Sequence, residues 1–175
     1  MDGVSGVAGM GGGGVDLWGA ALMGGSGLLV SALVPCLLLA TRRGGAWARL
    51  TPPAWAAWPG FLLLHAATVL AEAGHPSARA RLLLEGALAA GALAFWLPVL
   101  VPGPRRLSAP GRCLYLFLAA PLLDLPAVAL VACGHAAGGL AMIAGMLPLP
   151  LAALAVTWRW VLAEERARPP GGHPA

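Results

Sequence analysis

The stretch from Ala136 to Leu162 limits the fold of this chain more than any other, because it holds a single charged residue, Arg159. An α-helix of about 20 apolar residues already crosses the ~30 Å hydrocarbon core of a bilayer. The stretch closes in Trp158-Arg159-Trp160, and tryptophan and arginine are typical of the headgroup level, where an apolar body stays in lipid and a polar end reaches water. The sequence therefore predicts a membrane span here.

Composition extends this prediction to the whole chain. Of the 175 residues, 59% are hydrophobic and 10% are charged, and the mean hydropathy is +0.80. There is too little polar surface for a soluble globule, so we expect an integral membrane protein. The net charge of +4 does not indicate nucleic acid, since the arginines that carry it lie in short loops between apolar runs.

Four further apolar runs precede the last one. We predict an all-α, polytopic bundle of five transmembrane helices in one domain over residues 15–168. We expect residues 1–14 to form a flexible glycine-rich tail and residues 169–175 a disordered one. Pro35 is expected to kink the first span. The spans are predicted at about 17–40, 53–71, 82–101, 113–133 and 136–162.

The arginines predict the orientation of the bundle. Nine of them fall in the first loop, the third loop and the C-terminal end, whereas Arg79 and Arg81 alone fall on the opposite side. Loops rich in arginine stay in the cytoplasm. We therefore expect the N-terminus outside and the C-terminus inside.

With that orientation, the side chains able to bind a soft metal gather towards the outer face. They are His65, His135, Met142 and Met146, with Met23 and Cys133 nearby. Thioether and imidazole groups favour Cu(I). The simpler interpretations stay open: methionines four residues apart often form one packing stripe, and a histidine in a turn is often solvated.

Three ionisable side chains inside the spans need an explanation, because polar groups in hydrocarbon are costly. His65 requires a hydrogen-bonding partner, and Glu85 and Asp124 should face the bundle interior. Asp124 leaves open a weaker alternative, a small proton-coupled transporter. No nucleophile stands at a useful spacing from a base, and no catalytic or phosphate-loop motif is present, so we do not expect an enzyme.

Five segments carry a resemblance to a known family. They read VPCLLLA in the first span, FLLLHA in the second, ALAFWLPVLVP in the third, and GGLAMIAG and WRWVLAEE in the fifth. From about Leu28 to Arg166 the chain resembles the CtaG-type cytochrome c oxidase assembly factors of bacteria, as a shortened member in which several family histidines are missing. By this likeness His65 is a retained family histidine, and Glu85 stands without its histidine neighbour.

The resemblance implies a multi-pass protein of the bacterial plasma membrane that acts in cytochrome c oxidase biogenesis and handles or delivers copper on the outer side. His65, His135, Met142 and Met146 would be the ligands, and Glu85 would orient an imidazole. Its partners would be subunits of the oxidase or of a respiratory complex, within the lipid bilayer. The alternative is a metal-free accessory subunit that packs through small-residue faces at Gly86, Gly91, Gly138, Gly139 and Gly145.

Overall fold

The structure, a computed structural model, describes residues 17–41, 46–72, 74 and 76–167. Within these residues there is no strand, and five helical stretches are long and apolar enough to cross a membrane. The prediction of an all-α bundle with five spans is therefore confirmed. Both predicted tails lie outside the described residues. The helices are α1 (Leu17–Leu28), α2 (Val34–Thr41), α3 (Ala46–Leu50), α4 (Ala54–Glu72), α5 (Ala78–Leu100), α6 (Ala109–Ala132), α7 (Ala136–Met146) and α8 (Pro148–Ala167).

The third and fourth spans begin four residues earlier than the hydropathy predicts. Ser77 caps α5 by accepting a hydrogen bond from the Ala80 amide at 3.3 Å, and Ser108 caps α6 by accepting one from the Gly111 amide at 3.2 Å. A serine oxygen at this position satisfies an amide that has no partner within the helix. The caps, and not the start of the apolar runs, therefore fix where these helices begin.

The fifth span is not one continuous helix. It is interrupted at Leu147, where the amide donates to Ala144 O at 3.3 Å. Pro148 has no amide hydrogen to continue the α-helical ladder to Ala144, and its ring crowds that carbonyl. The predicted fifth span is nevertheless present as one stretch, Ala136–Ala167, and the proline marks a local break in hydrogen bonding between α7 and α8.

The irregularity in the first span lies one turn before Pro35. Residues Leu29–Leu33 form a π-helical turn between α1 and α2, in which the Val34 amide donates to Leu29 O. The next bond of this pattern would join residue 35 to Val30 O, but proline has no amide hydrogen. Trp96 Nε1 donates to Val30 O instead, at 2.8 Å inside the core. The expected disturbance by Pro35 therefore takes the form of a wider turn that receives a side chain from α5.

The bundle keeps large apolar side chains exposed along its outside, as a protein in lipid does. The first span packs through α1 on α7 and through α2 on α5, while α6 packs on α4, α7 and α8. Exposed apolar side chains lie on every span and include Leu37, Leu63, Leu83, Leu118 and Leu154. Together with the five apolar helices, this supports a multi-pass membrane protein in contact with the lipid bilayer.

Glycines allow the first and fifth spans to approach backbone to backbone. A Cβ on Gly145 would collide with Gly24 O, and a Cβ on Gly27 would lie 3.0 Å from Met142 O. Ser31 Oγ adds a hydrogen bond to Gly145 O at 2.7 Å in the same contact. Of the small-residue faces expected from the sequence, Gly145 is used in this way and Gly139 lies against the backbone of α6. The absent side chains of Gly138 and Gly91 leave room for Met23 and Leu64, whereas Gly86 faces open space.

The loops meet at two opposite ends of the bundle, which we name by their residues. At the arginine end, Arg105 Nη1 donates to Thr51 O at 2.9 Å and joins the first loop to the third. At the Gly134 end, α4 turns into α5 and α6 into α7, and Gly134 adopts a φ of 92°. A positive φ is accessible to glycine at low cost, which permits the tight turn.

Candidate functional site

A small pocket, largely apolar but with several polar side chains in its lining, opens between α1, α4, α5 and α7, nearer the Gly134 end. We name it the Glu85 pocket. Its volume is about 20 Å³, enough for roughly one water molecule. Glu85 is seven residues from the start of α5, so its backbone lies about 10 Å along the helix axis from Ala78. The lining residues are Met23, Ser26, Thr68, Val69, Glu72, Leu84, Glu85, Leu88 and Met142.

Ser26 and Glu85 form a short hydrogen bond across this pocket. Ser26 Oγ donates to Glu85 Oε1 and also lies 3.1 Å from Leu22 O in its own helix. A hydroxyl has one hydrogen, so it can donate to only one of these oxygens at a time. The bond joins α1 to α5, and it gives a carboxylate inside a span the interior partner that the sequence required.

Glu72 brings a second carboxylate to the pocket. It ends α4, and its Oε2 accepts from Arg81 Nη2 at 2.7 Å while Arg81 Nε lies 3.1 Å from Oε2 and 3.3 Å from Oε1. This forked geometry is the strong form of an arginine–carboxylate pair. The pair holds the α4–α5 turn closed at the outer edge of the pocket.

Two methionines line the pocket, Met23 on α1 and Met142 on α7. Met142 is 2% exposed and belongs to a buried cluster with Val69, against which Met23 packs. Met23 Sδ lies only 2.5 Å from where a Cβ of Gly138 would stand, so the missing side chain of that glycine makes room for the sulfur. The pocket therefore combines thioether and carboxylate groups in one small space.

His65 does not line the Glu85 pocket but lies between α4 and α6. It is 0% exposed, and its Nε2 lies 3.1 Å from Leu123 O, a carbonyl that can only accept, so Nε2 is the protonated nitrogen. The prediction that the buried imidazole of His65 has a hydrogen-bonding partner is therefore confirmed. Phe61 lies beside the ring at a centroid distance of 6.0 Å, and the second ring nitrogen, Nδ1, is buried and has no hydrogen-bonding partner among the described residues.

The remaining predicted ligands lie in different surroundings. His135 is exposed at the turn between α6 and α7, and Met146 is 3% exposed in the main core. Only Met142 of the four predicted ligands lines the Glu85 pocket. Over the described residues, no three side chains of histidine, cysteine, aspartate or glutamate cluster closely enough to bind an ion. Methionine, whose thioether can also bind a soft metal, is not one of these four residue types.

Asp124 is half-buried on α6, one residue beyond the Leu123 carbonyl that binds His65. Its Oδ1 is buried without a hydrogen-bonding partner in the described part of the chain. It does not line the Glu85 pocket. The two intramembrane carboxylates predicted as site residues therefore occupy separate positions, Glu85 in the pocket and Asp124 apart from it.

The hydrogen bond between Ser26 and Glu85 should be measurable by a double-mutant cycle. Ser26→Ala and Glu85→Gln are each expected to lower the free energy of unfolding, and the pair should show a coupling of about 1–2 kcal/mol, as expected for a bond to a charged group within a membrane bundle. Thermal unfolding in detergent is the measurement. Thr157→Val is the control, because the Thr157 hydroxyl donates only to Ala153 O in its own helix. A coupling no larger than that between Thr157→Val and Glu85→Gln would contradict the assignment.

Sequence reasoning missed Ser26, Thr68 and Glu72 as members of this site. Ser26 stands between glycines in the first span, and Glu72 lies one residue beyond the predicted end of the second span. One signal for the site was present in the sequence: Ser26 and Glu85 are polar residues at similar depths in two different spans. Their pairing depends on which spans are neighbours, which the linear pattern does not specify.

Comparison with known protein families, curated proteins and solved structures finds no match for this chain.

Proposed function

We propose that this chain handles monovalent copper during the biogenesis of cytochrome c oxidase, with the Glu85 pocket as the point where the ion is held. The observation that carries the proposal is the meeting of Met23 and Met142 with Glu85 and Glu72 in one pocket. Thioethers are soft ligands that select Cu(I), and the Glu85 carboxylate favours a cation electrostatically, whereas the charge of Glu72 is already balanced by Arg81. Copper is here a cargo, not a resident cofactor.

The residues present fit a transient site better than a storage site. Two thioethers without thiolates leave the ion exchangeable, and methionine side chains have three rotatable bonds and adjust to a guest easily. The pocket has room for only about one water molecule, so binding requires these side chains to move. Transfer would then proceed by exchange of ligands with a partner protein and would need no catalytic group.

This proposal revises the ligand set expected from the sequence. Met142 is kept, Met23 is added, and Glu85 acts in the pocket itself instead of orienting an imidazole. His65 serves to hold α4 to α6 through Leu123. The resemblance to CtaG-type assembly factors is what supports the oxidase as partner, the bacterial plasma membrane as location and the outer side as the face of delivery.

Copper retention by the purified chain tests the proposal. We expect saturable binding of about one Cu(I) per chain when the ion is titrated in under reducing conditions and the protein is separated from excess copper by gel filtration without a strong chelator. Met142→Leu should lower the affinity for Cu(I) at least about tenfold. Loss of a group that only orients a ligand already has an effect of this size, and loss of the ligand itself should cost no less. Met146→Leu is the matched control: it is the same substitution one turn away, in the core and outside the pocket.

No binding of copper by the wild-type chain, or an equal loss of affinity in both variants, would contradict the proposal.

A metal-free accessory subunit of a respiratory oxidase is the second candidate, favoured by the structural use of His65 and Met146 in the packed interior. In cells, Met142→Leu would then leave the copper content of the oxidase unchanged. Loss of oxidase copper with a normal level of the variant chain would support copper handling.

A further inference from the structure

A second cavity, of about 230 Å³, opens at the arginine end, far from the Glu85 pocket. We name it the arginine cavity. It lies between the end of α5, the start of α6 and the second half of α8, and it is larger than the roughly 30 Å³ that one water occupies in the liquid. Three guanidinium groups line it, from Arg106, Arg112 and Arg159, and Trp160 stands beside them. Leu39 and Val99 belong to its apolar wall.

These three positive charges have no acidic partner in the part of the chain that the structure describes. Within the described residues, no carboxylate lies at ion-pair distance from any of them, whereas at the Gly134 end Arg81 binds Glu72. The charges of Arg106 and Arg112 repel each other. Arg112 Nε is buried and has no hydrogen-bonding partner among the described residues. A buried guanidinium nitrogen without a partner is unfavourable, so this cluster is suited to an external anion.

We propose that the arginine cavity binds the phosphate group of an anionic membrane lipid. Guanidinium groups match phosphate oxygens in a forked geometry and are more weakly hydrated than ammonium groups, which makes arginine effective in a partly buried phosphate site. The apolar wall at Leu39 and Val99 provides a surface for the glycerol and the first acyl carbons. A free phosphate ion shares the charge chemistry but would leave that wall without a function.

The position in the fold agrees with this ligand. The cavity lies where three spans end, and Trp158 and Trp160 on α8 mark the headgroup level. Basic pockets between spans on the side that carries the positive loops are suited to lipid headgroups. This proposal is independent of copper handling, because it concerns the opposite end of the bundle and different residues.

Titration of the purified full chain with phosphatidylglycerol in mixed micelles, followed by its thermal transition, tests the proposal. We expect phosphatidylglycerol to raise the transition temperature and phosphatidylcholine to have little effect. The double variant Arg112→Gln, Arg159→Gln should bind phosphatidylglycerol about 30-fold more weakly, since each arginine contributes about 1 kcal/mol near an anionic lipid. The control Arg49→Gln, Arg166→Gln removes two exposed arginines outside the cavity and should change binding less than about threefold.

Three results would overturn the proposal. If the control variant loses as much affinity for phosphatidylglycerol as the double variant, the lipid is attracted by the general positive charge of the surface and not by the cavity. Phosphatidylcholine could bind as well as phosphatidylglycerol. Inorganic phosphate could displace the lipid and raise the transition temperature by itself, which assigns the site to a free anion. If the double variant does not fold, Arg159→Gln alone serves, because Arg159 is exposed and its replacement is expected to be tolerated, with a loss of about fivefold.

Discussion

Gly145→Ala is expected to lower the free energy of unfolding by about 3 kcal/mol, at the upper end of the range for overpacked cores. The new methyl group would collide with Gly24 O and lie 3.2 Å from Gly27 Cα. Both contacts are backbone atoms, so no side-chain rotation can relieve them. The first and fifth spans would have to separate, and the hydrogen bond from Ser31 Oγ to Gly145 O would lengthen with them.

Gly86→Ala is the matched control for this experiment. Gly86 is also inside a helix, but a Cβ there would meet nothing within 4 Å. Alanine has the higher helix propensity, so this variant should be neutral or slightly more stable. Thermal unfolding of both variants in the same detergent is the measurement. A similar loss in both would show that the cost arises from replacing glycine in a helix and not from the contact between spans.

Trp96→Ala should be the most damaging substitution in the core, with a loss of roughly 3–5 kcal/mol. Trp96 is 1% exposed, its ring meets Phe95 edge to face at 5.6 Å, and its Nε1 supplies the donor that Val30 O lacks. Trp96→Phe retains part of the packing and removes the donor, so about 1–2 kcal/mol should be lost through the hydrogen bond. Chemical or thermal unfolding in detergent measures both.

The role of Pro35 gives a sharper test of the same bond. In a Pro35→Ala background, residue 35 has an amide hydrogen that can reach Val30 O or Ser31 O and return the turn to a regular helix. Trp96→Phe should then cost less than in the wild-type chain. Equal costs in the two backgrounds would mean that the indole does not replace the missing backbone donor. Cys36→Ala, at an exposed neighbouring position of the same helix, provides the background control.

The sequence predicted the five spans well, because they follow from local composition. Long apolar runs must become helices in lipid, since every backbone group then has a partner within the same segment. The differences lie at single residues. Ser77 and Ser108 start their helices four residues before the apolar runs do, and Pro148 interrupts the hydrogen-bond ladder inside the last span without ending the span.

The candidate site was predicted less well, because it depends on distances between spans. Met142 and Met146 stand on the same helix one turn apart, yet Met142 faces the Glu85 pocket and Met146 the main core. That division follows from the neighbours of α7, which are α1 and α6. His65 was correctly expected to need a partner, but the partner is a backbone carbonyl and carries no signal in the sequence.

Five apolar helices, with most of the arginines in alternate loops, follow directly from the amino-acid sequence, since hydropathy and charge act residue by residue. The contact of Ser26 with Glu85, the seat of Met23 against Gly138 and the bond of Trp96 to the turn before Pro35 emerge only when the helices pack. Each of these contacts joins residues far apart in the chain, so no local pattern encodes it. Such contacts are selected by close packing between helices, where glycine positions set which backbones can touch.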